Sequence, residues 1–362
     1  MPAHPVFVTR KFPPSVGGME TLAASVWRSL LTVRPDAVKL SHGGGNKALV
    51  WWLPLSVLRL AVLVGRGQVE VVLTGDALTH AVVAPLLRAL RVPHATMVMG
   101  LDVTYPNPVY RSVVHRQLRR APRVLAISAA TAAKAQAAGV APERAAVLRL
   151  GVQEPPVGAR DRAAARTAVL QRLGLTPDRV LVLTLGRLVP RKGARWFVSH
   201  VLPGLPPDLH YLLAGEGPEA VGIAKAASQA GVANRVHLLG AVDEQGREDL
   251  MRGADLFVQP NVPVAGDLEG FGLVVVEAAL RGTPVVAADL EGIRDAVVDG
   301  RTGLLLPSGD AAAWQARLTD LLADRPALAR LGEGFRSEAA ALYGEDAMGR
   351  SLAGLLGLAD RG

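Results

Sequence analysis

The 362-residue chain contains no cysteine, which removes disulfide frameworks and thiolate metal sites and gives no sign of an oxidising compartment. Aromatic residues make up 4% of it, too few for the stacking surface of a nucleic-acid binder, and its cations are scattered rather than clustered. No nucleic-acid partner is expected. No spacing of His, Asp and Glu forms a metal-ligand cluster, so neither a metal nor a cofactor is expected. The opening residues, Met1 to Phe7, lack the basic and apolar regions of a signal peptide, and cytoplasmic folding is the expectation. Fixed-period repeats and low-complexity tracts are missing too, which disfavours solenoids.

What the chain does have is length and apolar content. At 362 residues and 50% hydrophobic it is too long for one ordinary core and suggests two domains. The net charge of +8 is unevenly spread. Residues 1–150 carry 18 Lys and Arg against 6 Asp and Glu, a net of +12, and the remainder is net −4. Such asymmetry points to an anionic partner for the first half, a membrane surface or a phosphorylated acceptor; an Arg-rich proteome bias is the plainer explanation.

Short β-rich runs alternate with helix-length apolar periodicity, the pattern of an α/β protein with parallel sheets built from βαβ units. Strands are expected at 5–9, 37–41, 69–73, 94–98 and 123–127, then at 179–185, 209–214, 236–239, 255–259 and 283–287. Gly151-Val-Gln-Glu-Pro-Pro-Val-Gly158 separates the two series and reads as the linker. Helices are expected at 311–323, 327–338 and 346–358. Ala48 to Gly65 is apolar for 18 residues but interrupted by Pro54 and Arg59, at the lower limit for a membrane span. A helix or helix pair is expected there. Trp51 and Trp52, with Lys47, Arg59 and Arg66 nearby, suit an interfacial face; a buried helix of a basic domain fits equally.

The chemistry concentrates in the second half. In Asp267-Leu-Glu269-Gly-Phe-Gly272-Leu-Val-Val-Val-Glu277, two carboxylates flank a glycine-rich helix start. Gly270 and Gly272 leave N–H groups unshielded where a helix begins, an arrangement that attracts phosphate. Two glutamates at this spacing alone more often mark a solvated face. Gly186-Arg187-Leu-Val-Pro-Arg191-Lys192-Gly193 follows a strand, which puts its cations at the carboxyl edge of the sheet, where open α/β folds bind ligands; a basic loop is the bland alternative. Gly215-Glu-Gly217-Pro-Glu-Ala220 fits a dinucleotide fingerprint. The next strand ends without the acidic residue a nicotinamide ribose needs, and Pro218 fits a plain tight helix start.

Together these residues resemble the retaining glycosyltransferases of family 4, with Val236-His-Leu-Leu-Gly240, the loop Phe12-Pro-Pro-Ser-Val-Gly17-Gly18-Met-Glu20 and the turn Gly100-Leu-Asp102 extending the likeness along the chain. The resemblance implies a GT-B fold, two Rossmann-like domains with parallel sheets facing a central cleft. The expected division is 1–155 for the acceptor, 156–344 for the donor, and 345–362 as a C-terminal helix returning to the first domain. It implies that Arg187 and Lys192 hold the donor diphosphate, with Gly186 and Gly215 beside it, and that Glu277 binds the ribose. The backbone near Leu239 would face the base. Glu269 would contact the donor sugar together with the backbone of Gly270, Phe271, Gly272 and Leu273, and Gly17 and Gly18 would approach the phosphates.

The reaction implied is a front-face, metal-independent transfer with Arg187, Lys192, Glu269 and Asp102 as its catalytic group. The donor is a nucleotide-diphospho-sugar linked to UDP, GDP or ADP, and the acceptor is lipid-linked, membrane-associated or a glycan, met at the inner membrane face. One departure stands out. Met99 occupies the place of the histidine that precedes Gly-x-Asp/Glu in similar enzymes, and a thioether is only a weak acceptor. His42 and His80 are loop candidates to replace it, while His94 reads as a packed strand residue. Asp102 either touches a substrate or caps its own turn. The alternatives are a non-catalytic partner subunit that keeps the nucleotide site, or another GT-B enzyme such as a sugar-nucleotide epimerase.

Overall fold

The alternation of short β-rich runs with amphipathic segments builds two sheets of six parallel strands in the computed structural model. The structure describes residues 3–15, 17–45, 48–152 and 161–358. Two compact units divide the chain: Met1–Gln153 with Tyr343–Gly362, and Glu154–Leu342. Residues 153–158 of the expected linker, and Lys47, lie outside the described residues.

The first unit contains β1 (His4–Thr9), α1 (Gly18–Val33), β2 (Val38–Ser41), α2 (Leu49–Gly65), β3 (Val69–Thr74), α3 (Ala77–Ala89) and β4 (His94–Val98). There follow α4 (Leu101–Thr104), α5 (Pro108–Leu118), β5 (Val124–Ala126), α6 (Ala129–Ala137) and β6 (Ala145–Val147). Its sheet order is β2-β1-β3-β4-β5-β6. Val6, Val8, Val72, Leu60 and Leu87 form one core cluster, and Val98, Val103, Val114 and Val124 another.

The second unit runs through α7 (Arg162–Leu173), β7 (Val180–Leu185), α8 (Ala194–Trp196), β8 (Leu209–Ala214), α9 (Ala220–Gln229), β9 (Val236–Gly240) and α10 (Glu244–Gly253). It continues through β10 (Leu256–Gln259), α11 (Leu273–Leu280), β11 (Val285–Ala288), α12 (Ile293–Ala296), β12 (Leu304–Leu306), α13 (Ala311–Ala323) and α14 (Arg325–Tyr343). Its sheet order is β12-β11-β10-β7-β8-β9. The core packs Phe197 against Tyr211 with the rings tilted, and Trp314 edge-on to Phe197.

Helix starts follow the side chains that satisfy orphan N–H groups. Asp76 accepts from Leu78 and Thr79 to open α3, and Ser128, Asp161, Asp243 and Asp310 cap α6, α7, α10 and α13. The last helix, α15 (Glu345–Leu356), lies on α1 within the first unit. Arg28 pairs with Glu345 at 2.6 Å, and a side chain at Gly349 would overlap the Ser29 carbonyl, so this glycine sets how closely the helices approach.

Several expectations are corrected. Each sheet has a sixth strand, β6 and β12, absent from the sequence reading. Of the two alternatives for residues 48–65, the single helix forms, as α2, with Pro54 inside it. His80 is not on a loop. It is fully buried inside α3, its ring 5.6 Å from that of His94.

Candidate active site

In the second sheet the strand order reverses between β7 and β10. Open parallel sheets bind ligands outside the carboxyl ends of the strands flanking such a reversal. The loop after β7 carries Gly186 to Gly193, and the loop after β10 carries Asn261 to Gly272. The topology therefore brings together the basic and acidic motifs, more than 60 residues apart in sequence.

Backbone packing makes this edge. A side chain at Gly215 would overlap the Gly186 carbonyl, one at Gly217 the Leu188 carbonyl, and one at Gly193 the Pro260 carbonyl. The glycines of the fingerprint-like segment are thus explained by loop-on-loop contact, and α9 begins at Ala220, beyond Pro218.

Glu269 lies at the centre and is buried. Lys192 Nζ sits 2.7 Å from its Oε2, Asn261 Nδ2 donates to the same oxygen at 3.2 Å, and Arg191 Nε is 3.6 Å away. Burial alone would raise this carboxyl; Lys192, Arg191 and Asn261 outweigh it and hold it below its ordinary value. No described residue donates to Oε1. Arg191 also grips Asp267 through Nη1, 3.0 Å from each carboxylate oxygen. Arg187 stands exposed with no ion-pair partner among the described residues. One cation is therefore spent on positioning Glu269 while another faces solvent.

Gly272, at φ 83°, precedes α11 and supplies no side-chain cap, so the first N–H groups of that helix remain for a ligand. Phe271 is buried and Leu273 begins the helix. Glu277, one turn on, has its Oε2 at 2.5 Å from Arg247 Nη2 of α10. Leu239 is half-buried and lines a void of about 40 Å³ with Val169, Leu173 and Leu250.

Gly17, Gly18 and Asp102 belong to the first unit. Gly17 opens α1, where a Cβ would stand 2.5 Å from Glu20 Oε2, while Gly18 has open space. Glu20 is itself 3.3 Å from Lys11 Nζ. Asp102 is fully enclosed; its oxygens accept from the N–H groups of Ala77 at 3.1 Å and Met99 at 2.8 Å. Burial pushes its carboxyl up to about 6 against those two donors. It ties the β4–α4 turn to the start of α3. His42 remains on a loop, its ring 5.7 Å from Trp52.

Sequence reasoning gave no role to Asn261, Arg191, Glu291 or Arg247. Asn261 follows β10 directly, a position where polar residues reach the sheet edge. Arg191 lies in the basic motif after β7, while for Glu291 and Arg247 the only signal is spatial.

Residues 179–324 match the family Glycosyl transferases group 1. The phosphatidyl-myo-inositol mannosyltransferase of Mycobacterium leprae is 42% identical over 125 residues, covering 33% of this chain and 31% of that protein. The D-inositol 3-phosphate glycosyltransferase of Nocardia farcinica is 38% identical over 130 residues, 34% of this chain and 28% of that one. The chain thus spans under a third of the length of the curated relatives it matches. Anabaena Alr3699/HepE, solved in complex with UDP, superposes with a TM-score of 0.75 at 21% identity, covering 98% of this chain and 99% of that one. Residues 179–324 are thus similar to the glycosyl transferases group 1, and the two six-stranded parallel sheets have the GT-B fold.

Proposed function

We propose that the chain is a retaining glycosyltransferase that moves a sugar from a nucleotide-diphospho-sugar to a lipid-linked or otherwise membrane-associated acceptor, without a metal or other cofactor. One observation carries this: Glu269 is anchored through Oε2 with no described donor to Oε1, and the exposed Arg187 and an uncapped helix start lie on the loops after β7 and β10 at the same sheet edge. A carboxylate fixed in that way accepts sugar hydroxyls, and the cation and helix N-terminus suit a diphosphate. Glu277 then takes the ribose, through the oxygen that Arg247 leaves open. Gly270 to Leu273 would complete the sugar contacts.

In the proposed reaction the bond from the sugar to the diphosphate breaks and the acceptor hydroxyl attacks from the same face. The departing phosphate oxygen takes the acceptor proton, which gives retention. Arg187 offsets charge on the leaving diphosphate, while Lys192, paired with Glu269, adds its charge to the same sheet edge, so catalysis rests on positioning and electrostatics. Asp102, held by two backbone N–H groups, shapes the turn that bears Met99.

Membrane association is supported by α2, where Trp51, Leu55, Leu58 and Val62 form one exposed stripe, Trp51 at 81% exposure. No acidic residue lies in this helix, and Arg59 and Arg66 are exposed beside the stripe. An apolar face flanked by cations suits an anionic interface. No described helix is long and apolar enough to cross a membrane. The likeness to the M. leprae phosphatidyl-myo-inositol mannosyltransferase also supports a lipid acceptor.

The test is transfer from UDP-, GDP- and ADP-linked sugars to a bacterial lipid extract, with EDTA present. A product of retained anomeric configuration supports the reading. Interconversion of the donor without acceptor indicates an epimerase instead, and nucleotide binding without turnover indicates a partner subunit.

A further inference from the structure

The turn that follows β11 grips Glu269 by its main chain. Glu291 has φ 48°, a left-handed backbone that residues with a side chain adopt at a cost and glycine adopts freely. Its carboxylate Oε2 accepts from the Glu269 N–H at 2.6 Å. The next residue, Gly292, donates its N–H to the Glu269 carbonyl at 3.2 Å. Two consecutive residues therefore take both polar groups of the Glu269 main chain. A side chain at Gly292 would overlap the Gly270 carbonyl and lie 2.8 Å from that of Glu269, so this turn reaches Glu269 only because glycine follows Glu291.

A plain structural role does not account for the carboxylate. A residue chosen only for the turn would be glycine or asparagine, which suit φ 48° better. The carboxylate does not serve as a helix cap: α12 starts at Ile293 behind the N-cap Gly292, and Glu291 Oε2 accepts from the Glu269 N–H instead. The placement is also electrostatically unfavourable: burial, with Glu269 and Asp267 nearby, raises the Glu291 carboxyl despite Arg191 and the Glu269 N–H. What Glu291 adds is one acceptor aimed at one N–H.

We propose that Glu291 is a positioning residue for Glu269, its side chain and turn fixing the Glu269 main chain while Lys192 and Asn261 fix Oε2, so that Oε1 is presented to the donor sugar. This rests on the reading of Glu269 as the sugar ligand. Glu291 itself touches no substrate. Its effect is therefore confined to the sugar part of the donor and leaves nucleotide binding alone, which a loss of fold would not do.

The experiment measures, by calorimetry and thermal melting, the affinity for a nucleoside diphosphate and for the matching nucleotide sugar in wild type, Glu269→Ala, Glu291→Gly and Glu291→Gln. Wild type should prefer the nucleotide sugar, and Glu269→Ala should lose that preference. Glu291→Gly relieves the left-handed residue, so Tm should hold or rise, and diphosphate affinity should stay. Its preference for the sugar nucleotide should fall roughly tenfold or more, the usual effect of losing a charged hydrogen bond. Glu291→Gln keeps an acceptor oxygen and should restore most of the preference. If Glu269→Ala loses the preference while Glu291→Gly keeps it, the positioning role is wrong and the sugar reading stands. If Glu269→Ala keeps it, or wild type has none, the sugar reading fails and the positioning role with it. Loss of diphosphate affinity or Tm in Glu291→Gly would instead mark a residue of the fold.

Discussion

At Gly193 the loop after β7 turns with φ 69° directly against the Pro260 carbonyl. Alanine there adds an overlap to a left-handed residue, so Gly193→Ala should destabilise by roughly 2–4 kcal/mol, combining overpacking with αL strain; chemical denaturation reads this directly. Arg187 is the opposite case. It is exposed and holds no described partner, so Arg187→Ala should leave stability within about 0.5 kcal/mol while weakening nucleoside diphosphate binding roughly tenfold or more. An unaltered affinity in calorimetry would remove Arg187 from the diphosphate site. The difference explains what could be read from sequence. Arg187 and Lys192 follow a recognisable strand and glycine, so their location at the sheet edge was legible. That Lys192 is committed to Glu269, and that Glu291 grips the same residue from another strand, depends on contacts between segments far apart in the chain.

Among elements, the central strands were legible because each lies in a short apolar run rich in Val, Leu, Ile or Ala between turn signals, as in β7 Val180–Leu185 and β3 Val69–Thr74. The two that escaped, β6 and β12, lie at sheet edges and contain three residues each, Ala145–Val147 and Leu304–Leu306; runs that short carry no period. His80 was misplaced for another reason. A histidine among alanines, a threonine and valines reads as polar punctuation, whereas Asp76 caps the helix and turns His80 into the core, buried between α3 and His94. Burial, with His94 and Arg88 adding to it, pushes its imidazole down to about 3 from the ordinary 6.5. A folded value below the unfolded one means that the stability it allows is present above pH 6.5 and is lost as pH falls towards 3. Unfolding free energy should decline over that window by on the order of 4 kcal/mol, at about 1.4 kcal/mol per unit. His80→Leu should flatten the decline, as followed by urea denaturation at successive pH values. An unchanged slope would place the acid sensitivity elsewhere.

For the molecule as a whole, the sequence showed two α/β halves and a charge imbalance, and the structure attaches part of that charge to a helix with an unpartnered apolar stripe. If α2 is the membrane contact, Trp51→Asp should sharply reduce co-sedimentation with anionic vesicles without lowering Tm, because Trp51 packs against little, and added salt should weaken wild-type binding. Equal co-sedimentation of both proteins would move the contact elsewhere. The proposed nucleotide site lies instead at the edge of the second sheet, where the strand order reverses and the basic and acidic loops meet. The most direct test is the thermal shift of the purified chain with UDP, GDP and ADP in EDTA. The site described here predicts that at least one raises Tm, by an amount that grows with the logarithm of its concentration. A chain whose Tm responds to none of the three, at millimolar ligand, would contradict it.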